Sequence, residues 1–180
     1  MAGIIGTMMP AMARAPVVVV RDADDDDAPA INRVYDHYVR TTHVTFDVEP
    51  MTAERRLRWL AERSSARYRA LVATEEGTVV GFASSGPYMP RPAYETSVLF
   101  SVYLDPDRTG RRIGTTLCAA LFEAIRDADV HRALAGISLP NPGSVALHRR
   151  FDFEEIGRFT EQGRKFGRYW DVAWFERPMP

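Results

Sequence analysis

The chain has 180 residues and a mass of 20.3 kDa, which is room for one domain, and its 46% hydrophobic content suffices for a sizeable core. Lysine and arginine number 23 against 24 aspartates and glutamates, a formal charge of -1, so no global field draws the protein to nucleic acid or to an anionic bilayer, and a small-molecule partner is expected. The single cysteine, Cys118, excludes an intramolecular disulfide and a cysteine-based zinc site and suits a reducing cytoplasm.

Residues 1–16 are apolar and Met-rich, lack a basic start and are interrupted by Gly and Pro, so they are expected to form a mobile extension, with one domain over residues 17–180. No stretch approaches the roughly 20 apolar residues that a membrane-spanning helix needs. Val17–Arg21 is a β-branched run that predicts a strand. The aspartates Asp24–Asp27 suit a helix entrance through capping and the macrodipole, a better reading than a metal site, since neighbouring helical side chains diverge. Ile31, Val34, Tyr35, Tyr38 and Val39 then recur at helical spacing.

Thr52 is a cap for a second helix with Leu57, Leu60 and Ala61 facing inward. Arg69–Thr74 and Thr78–Ser85 predict a hairpin turning at Glu75-Glu76-Gly77. In the next strand, Glu95–Leu104, the set Thr96, Val98, Phe100, Val102 and Leu104 occupies one face, while Leu99, Ser101 and Tyr103 share the largely polar other. A basic, glycine-bearing loop, Asp105–Arg112, leads into a helix with the stripe Ile113, Leu117, Leu121 and Ile125; such a loop places backbone N–H groups against phosphate. A strand over His131–Ile137 follows. Asn141 as N-cap with Pro142 at the first helical position predicts a helix to about Arg150. Two closing strands fit Glu154–Thr160 and Tyr169–Glu176, joined by a turn containing Gly163 and Gly167. This order implies an α/β fold, a mixed sheet of about seven strands with helices on both faces.

Separated motifs in this order resemble the GNAT (GCN5-related N-acetyltransferase) superfamily and, within it, the phosphinothricin acetyltransferase branch. They are Ser101-Val-Tyr-Leu-Asp-Pro106, Ile137-Ser-Leu-Pro-Asn-Pro-Gly-Ser144, Leu147-His148 and Gly163-Arg-Lys-Phe-Gly-Arg-Tyr-Trp-Asp-Val172, joined by Asp36-His-Tyr-Val39, Thr45-Phe46 with Glu49-Pro50, and Ala93-Tyr94-Glu95. The resemblance spans about Val17 to Arg177. It implies a sheet splayed between strands 4 and 5, acetyl-CoA lying in the gap, an amino-acid-like amine as acceptor, and a cytoplasmic homodimer.

By the same resemblance the pantetheine arm pairs with backbone around Val102, Tyr103 and Leu104, and the pyrophosphate meets Thr109, Gly110, Arg111, Arg112, Ile113, Gly114 and Thr115. Asn141 and Ser144 lie near the arm, a role compatible with helix capping. His148 takes the place of the proton donor, with packing as its alternative, and Tyr103 joins it as a catalytic candidate. Arg91, Leu99, Tyr103 and Lys165 are acceptor-side candidates; Arg91 is otherwise a solvated loop arginine and Lys165 otherwise structural. No metal is implied.

Three positions depart from the branch. Leu99 stands where its general-base glutamate belongs, and Glu95 on the same face lies four strand residues away, about 13 Å. Arg112 replaces a loop glycine, which predicts strain of about 1–2 kcal/mol if its φ is left-handed and none if it is helical. Asp152 replaces another glycine, at a helix-to-strand turn that Asp tolerates. The alternatives to an active transferase are a silent acyl-CoA-binding homologue and a fold that binds no cofactor.

Overall fold

The computed structural model describes residues 16–179, so the extension expected over residues 1–16 lies, apart from Pro16, outside them. In chain order the elements are β1 (Val18–Asp22), α1 (Ala28–Thr41), α2 (Ala53–Ala61), β2 (Ala70–Glu75), β3 (Thr78–Pro87), β4 (Ser97–Leu104), α3 (Ile113–Ala124), β5 (Arg132–Ser138), α4 (Pro142–Arg150), β6 (Glu154–Lys165) and β7 (Arg168–Pro178). The strands form one sheet in the order β1-β2-β3-β4-β5-β7-β6. Among the described residues its only parallel pair, β4 with β5, is joined over just Ser97–Leu99 and Arg132–Leu134. Beyond that point the two strands diverge, giving the mixed sheet that the element order implies, with the splay that the resemblance implies.

The stripe Ile113, Leu117, Leu121 and Ile125 packs α3 on one face of the sheet with Phe100, Ile137 and Phe175. On the other face, Ile31 and Val34 of α1 and Leu60 of α2 meet Val72 and Phe82. Each large apolar side chain buried in this way contributes about 1.5–3 kcal/mol. No helix among the described residues is long and apolar enough to cross a membrane.

Local chemistry sets the element ends. Asp24 caps a single 3-10 turn, Asp25–Asp27, and the buried Asp27 closes the capping box while accepting two hydrogen bonds from Arg21, at 2.6 and 2.8 Å. The aspartate run is thus a helix entrance, built through one tighter turn. Thr52 caps α2 by accepting from the Arg55 N–H.

The inward face of α2 differs from the expected one. Leu57 and Ala61 are exposed, and Arg56 takes the buried place beside Leu60. An aromatic and polar cage makes that burial tolerable: the Arg56 guanidinium lies 4.6 Å from the Trp59 ring centroid and 5.3 Å from that of Tyr35, and its Nε donates to Asn32. The β6–β7 turn is also shorter than expected. Phe166 and Gly167 make it, both with positive φ, while Gly163 lies inside β6, where the Phe46 ring occupies the space a Cβ would need. Finally, a 3-10 turn over Pro92–Tyr94 delays β4 to Ser97.

Candidate active site

Where β4 and β5 part, the inner edge of the sheet is left open. The Asp105 N–H bonds to Val80 of β3, so by antiparallel alternation Tyr103 and Ser101 also spend their backbone groups on β3. Val102 and Leu104 therefore direct theirs toward the gap. One of these, the Leu104 carbonyl, accepts from the Tyr38 hydroxyl at 2.6 Å. A cavity of about 530 Å³ fills the gap, with Val102, Tyr103 and Leu104 on one wall and Ala135, Gly136 and Ile137 on the other.

The cavity runs on to the start of α3, where Thr109, Gly110, Arg112, Gly114 and Thr115 line it. No side chain caps this helix, so the N–H groups of its first turn remain open at the positive end of the helix. Arg112, the N-cap residue, has φ 64° and ψ 6°. That is the left-handed alternative, costing about 1–2 kcal/mol for a residue bearing a Cβ.

Two of the expected phosphate contacts fall elsewhere. The guanidinium of Arg111 turns away from the cavity to Glu75, 3.0 Å from its carboxylate, and Arg108 reaches the same carboxylate at 3.0 Å. The cause is Glu75 itself, a carboxylate buried at the end of β2 that needs counter-charge. Ile113 sends its side chain into the core and can offer a ligand only its backbone.

On the far wall, α4 carries Asn141, Ser144 and His148 into the cavity. Asn141 caps the helix by accepting from the Ser144 N–H at 3.2 Å. His148 is buried, and its Nδ1 lies 2.8 Å from the Ser144 carbonyl oxygen. A carbonyl only accepts, so the proton is on Nδ1 and Nε2 carries the lone pair. Burial also holds the imidazole below its ordinary pKa, in the neutral form, and Nε2 has no partner among the described residues. In this tautomer His148 is first a proton acceptor, and becomes a donor only after taking a proton.

The acceptor-side candidates are more scattered. Tyr103 lines the cavity, whereas Arg91, Leu99 and Lys165 do not. The Lys165 ammonium is buried and donates to the carbonyls of Thr45 at 2.8 Å and Tyr38 at 3.3 Å, which fastens residues 42–47 to β6. It is a fastening, not a free ligand for a substrate. Arg91 is exposed in the β3–β4 connection. Glu95 is paired with Arg67 at 2.9 Å. Leu99 faces Gly86 across the β3–β4 ladder, and the Arg63 guanidinium sits where a Gly86 side chain would be.

Sequence reasoning missed Glu75, Arg63 and the Thr45–Asp47 loop. Pairs with Arg108 and Arg111 bring Glu75 beside the start of α3, Arg63 lies over Gly86, and Lys165 and Tyr35 hold Thr45 and Asp47. Their roles follow from long-range contacts, though Thr45-Phe46 belongs to the motifs named above. Taken together, an open strand edge, an uncapped helix start and an unpartnered buried imidazole fit an extended donor that bears amides at one end and phosphates at the other.

Comparison with known proteins agrees. Residues 31–153 match the Acetyltransferase (GNAT) family. The chain is 49% identical over 165 residues to a phosphinothricin N-acetyltransferase of Streptomyces coelicolor, covering 90% of this chain and 96% of that one. It is 34% identical over 158 residues to an L-methionine sulfoximine/L-methionine sulfone acetyltransferase of Pseudomonas paraeruginosa, covering 87% and 92%. Among solved structures, a phosphinothricin acetyltransferase of Sinorhizobium meliloti in complex with acetyl-CoA superposes with a TM-score of 0.86 at 30% identity, over 90% of this chain and 88% of that one.

Proposed function

The chain belongs to the acetyltransferase (GNAT) family and resembles its phosphinothricin acetyltransferases, and from that membership we propose that it moves the acetyl group of acetyl-CoA onto the amino group of a small amino-acid-like acceptor of the phosphinothricin or methionine sulfone type. The observation that carries this reading is the open β4 edge running into the uncapped start of α3. Acetyl-CoA supplies an activated acyl carbon and a thiolate leaving group; the rest falls to the protein.

Backbone groups of Val102 and Leu104 hold the amide-bearing arm, and the first turn of α3 with Arg112 takes phosphate charge. A free N–H on β4 polarises the thioester carbonyl. As the N–C bond forms, His148 Nε2 accepts a proton from the attacking nitrogen and returns it to the sulfur when the C–S bond breaks. Tyr103 and Arg91 border the acceptor, Arg91 as partner for its carboxylate or phosphinate.

Thiol release from acetyl-CoA across amino acids, methionine sulfone, methionine sulfoximine and phosphinothricin, from pH 6 to 9, tests the reading. Absence of acceptor-dependent turnover throughout that range defeats it. Leu99 favours a second reading, a homologue that binds acyl-CoA without turning it over; calorimetric binding with no thiol release is its signature. We further infer a cytoplasmic homodimer. The sequence holds one cysteine, Cys118, and so no intramolecular disulfide, which suits a reducing compartment. On the sheet edge β6, Ile156 and Phe159 are 52% and 53% exposed, which favours cover by a second copy. A light-scattering mass of one chain rejects the dimer.

A further inference from the structure

Three hydroxyls and one carboxylate connect the cavity with the surface. The Tyr103 ring stacks on Phe82, with centroids 5.4 Å apart, and meets Tyr35 and Tyr38 edge-on at 4.9 and 5.4 Å. Its hydroxyl has the hydroxyls of Thr45 and Tyr35 as polar neighbours. Thr45 Oγ1 and the Tyr35 hydroxyl are 2.6 Å apart, and Tyr35 donates to Asp47 Oδ2 at 2.8 Å. Asp47 is exposed to solvent.

The polarity of this chain follows from donor arithmetic. A carboxylate only accepts, so the single Tyr35 proton is committed to Asp47. Thr45 must then be the donor in its bond to Tyr35, which leaves the Thr45 oxygen, already receiving the Asp47 N–H at 3.3 Å, with accepting capacity toward the neighbouring Tyr103 hydroxyl. The Thr45 and Tyr35 protons thus point outward, toward Asp47. Meanwhile Leu99, at the position of the branch's base, offers nothing that can take a proton.

We propose that Tyr103, Thr45, Tyr35 and Asp47 form a proton relay that replaces the missing carboxylate by carrying the first proton of the acceptor ammonium out to Asp47. The relay rests on the acetyltransferase reading above. In the transfer the ammonium N–H bond breaks as Tyr103 accepts its proton. Tyr103 passes its own proton to Thr45, Thr45 to Tyr35, and Tyr35 to Asp47 Oδ2. Each hydroxyl gains one proton and loses one, and Asp47 releases the surplus to water. The neutral amine then attacks the acyl carbon, and its second proton travels through His148 to the departing sulfur. Burial pushes the Tyr103 phenol up to about 12, so it relays as a neutral hydroxyl and does not rest as a phenolate.

The charged groups facing the relay are Arg56 and Asp36, from α2 and α1, and Lys165, from β6. Of the four relay residues only Tyr103 touches the acceptor; Thr45, Tyr35 and Asp47 act through it.

The test compares wild type with Asp47→Asn and Thr45→Val, using methionine sulfone and saturating acetyl-CoA. An unchanged calorimetric Kd for acetyl-CoA certifies each fold. The relay predicts a fall in kcat of about 100-fold, with a pH profile that climbs toward the amine's own pKa where wild type has levelled off, and partial rescue of Asp47→Asn by acetate. Variants that keep the wild-type kcat and profile overturn it. So does a loss of kcat with neither a shifted profile nor rescue, which marks a merely structural role. Tyr35→Phe checks the same break from a third position. A wild type with no acceptor-dependent turnover defeats the acetyltransferase reading itself, and the relay with it.

Discussion

Arg111 Nη2 lies 3.0 Å from Glu75 Oε1, so the guanidinium that precedes Arg112 braces the end of β2 and leaves the nucleotide end of the cavity to its neighbour. Arg108 shares that carboxylate. Arg111→Ala should therefore leave the Kd for acetyl-CoA within about threefold while lowering stability by about 1 kcal/mol, or 2–4 °C in Tm. Calorimetry and a melting curve on the same sample check both halves. A tenfold weaker Kd with an unchanged Tm means that Arg111 leaves Glu75 for phosphate.

Arg112→Gly should push the two quantities in opposite directions. Glycine adopts a φ near 64° without steric cost, so the variant should gain up to about 1 kcal/mol. Loss of a cation at the cavity should weaken acetyl-CoA binding and flatten its salt dependence. Unaltered affinity across salt concentrations assigns phosphate binding to the backbone alone.

The buried imidazole of His148 makes a pH prediction of definite sign. Its folded-state pKa lies below the ordinary value near 6.5, because desolvation disfavours the cation. Above 6.5 both states are neutral there and the residue contributes no pH dependence. Below it the unfolded chain takes the proton first, so stability falls with pH until the folded pKa is passed. The Tm gap between wild type and His148→Gln should shift against wild type on going from pH 7 to 5. A constant gap rejects the neutral, buried assignment.

Lys165→Met removes the donor to two carbonyls, those of Thr45 and Tyr38. Leaving them unpaired costs about 1–3 kcal/mol, and hydrogen exchange should quicken in residues 42–47 before it does in β6. Acceptor KM should rise together with that loosening. A KM increase with no change in exchange restores Lys165 to direct substrate contact.

Leu99→Glu restores a carboxylate beside a cation already in place. Arg63, whose pKa burial lowers to about 10, has its guanidinium over Gly86, the cross-strand partner of residue 99. Its Nε has no hydrogen-bond partner among the described residues. The substitution should hence be tolerated within about 1 kcal/mol, far less than an unpaired buried carboxylate costs. It should also relieve the activity loss of Asp47→Asn, since two routes for one proton are redundant. A severe drop in Tm shows that Arg63 does not reach residue 99.

Periodicity and capping made much of this architecture legible. Ile113, Leu117, Leu121 and Ile125 are buried as their spacing predicts, and Asn141 and Thr52 cap where their residue type and position say they should. The inward face of α2 was not readable, because Arg56 outcompetes Leu57 only through rings supplied by another helix and its own next turn. Gly163 looked like a turn residue since nothing in its neighbours foretells the Phe46 ring that excludes a side chain there. The direction of Arg111 was equally hidden, being decided by a carboxylate 36 residues away.

Most sheets present their unsatisfied strand edges at the periphery, where any passing polypeptide is a hazard. Here the bare margin of β4 beyond Leu99 lies inside the sheet, facing β5 across the cavity and flanked by the starts of α3 and α4. Between two strands of its own sheet that edge is shielded from edge-to-edge pairing, yet its hydrogen-bonding capacity survives for a slender guest. Occupancy by such a guest completes the ladder, so the folded protein should be sturdier when its donor is abundant than when it is scarce.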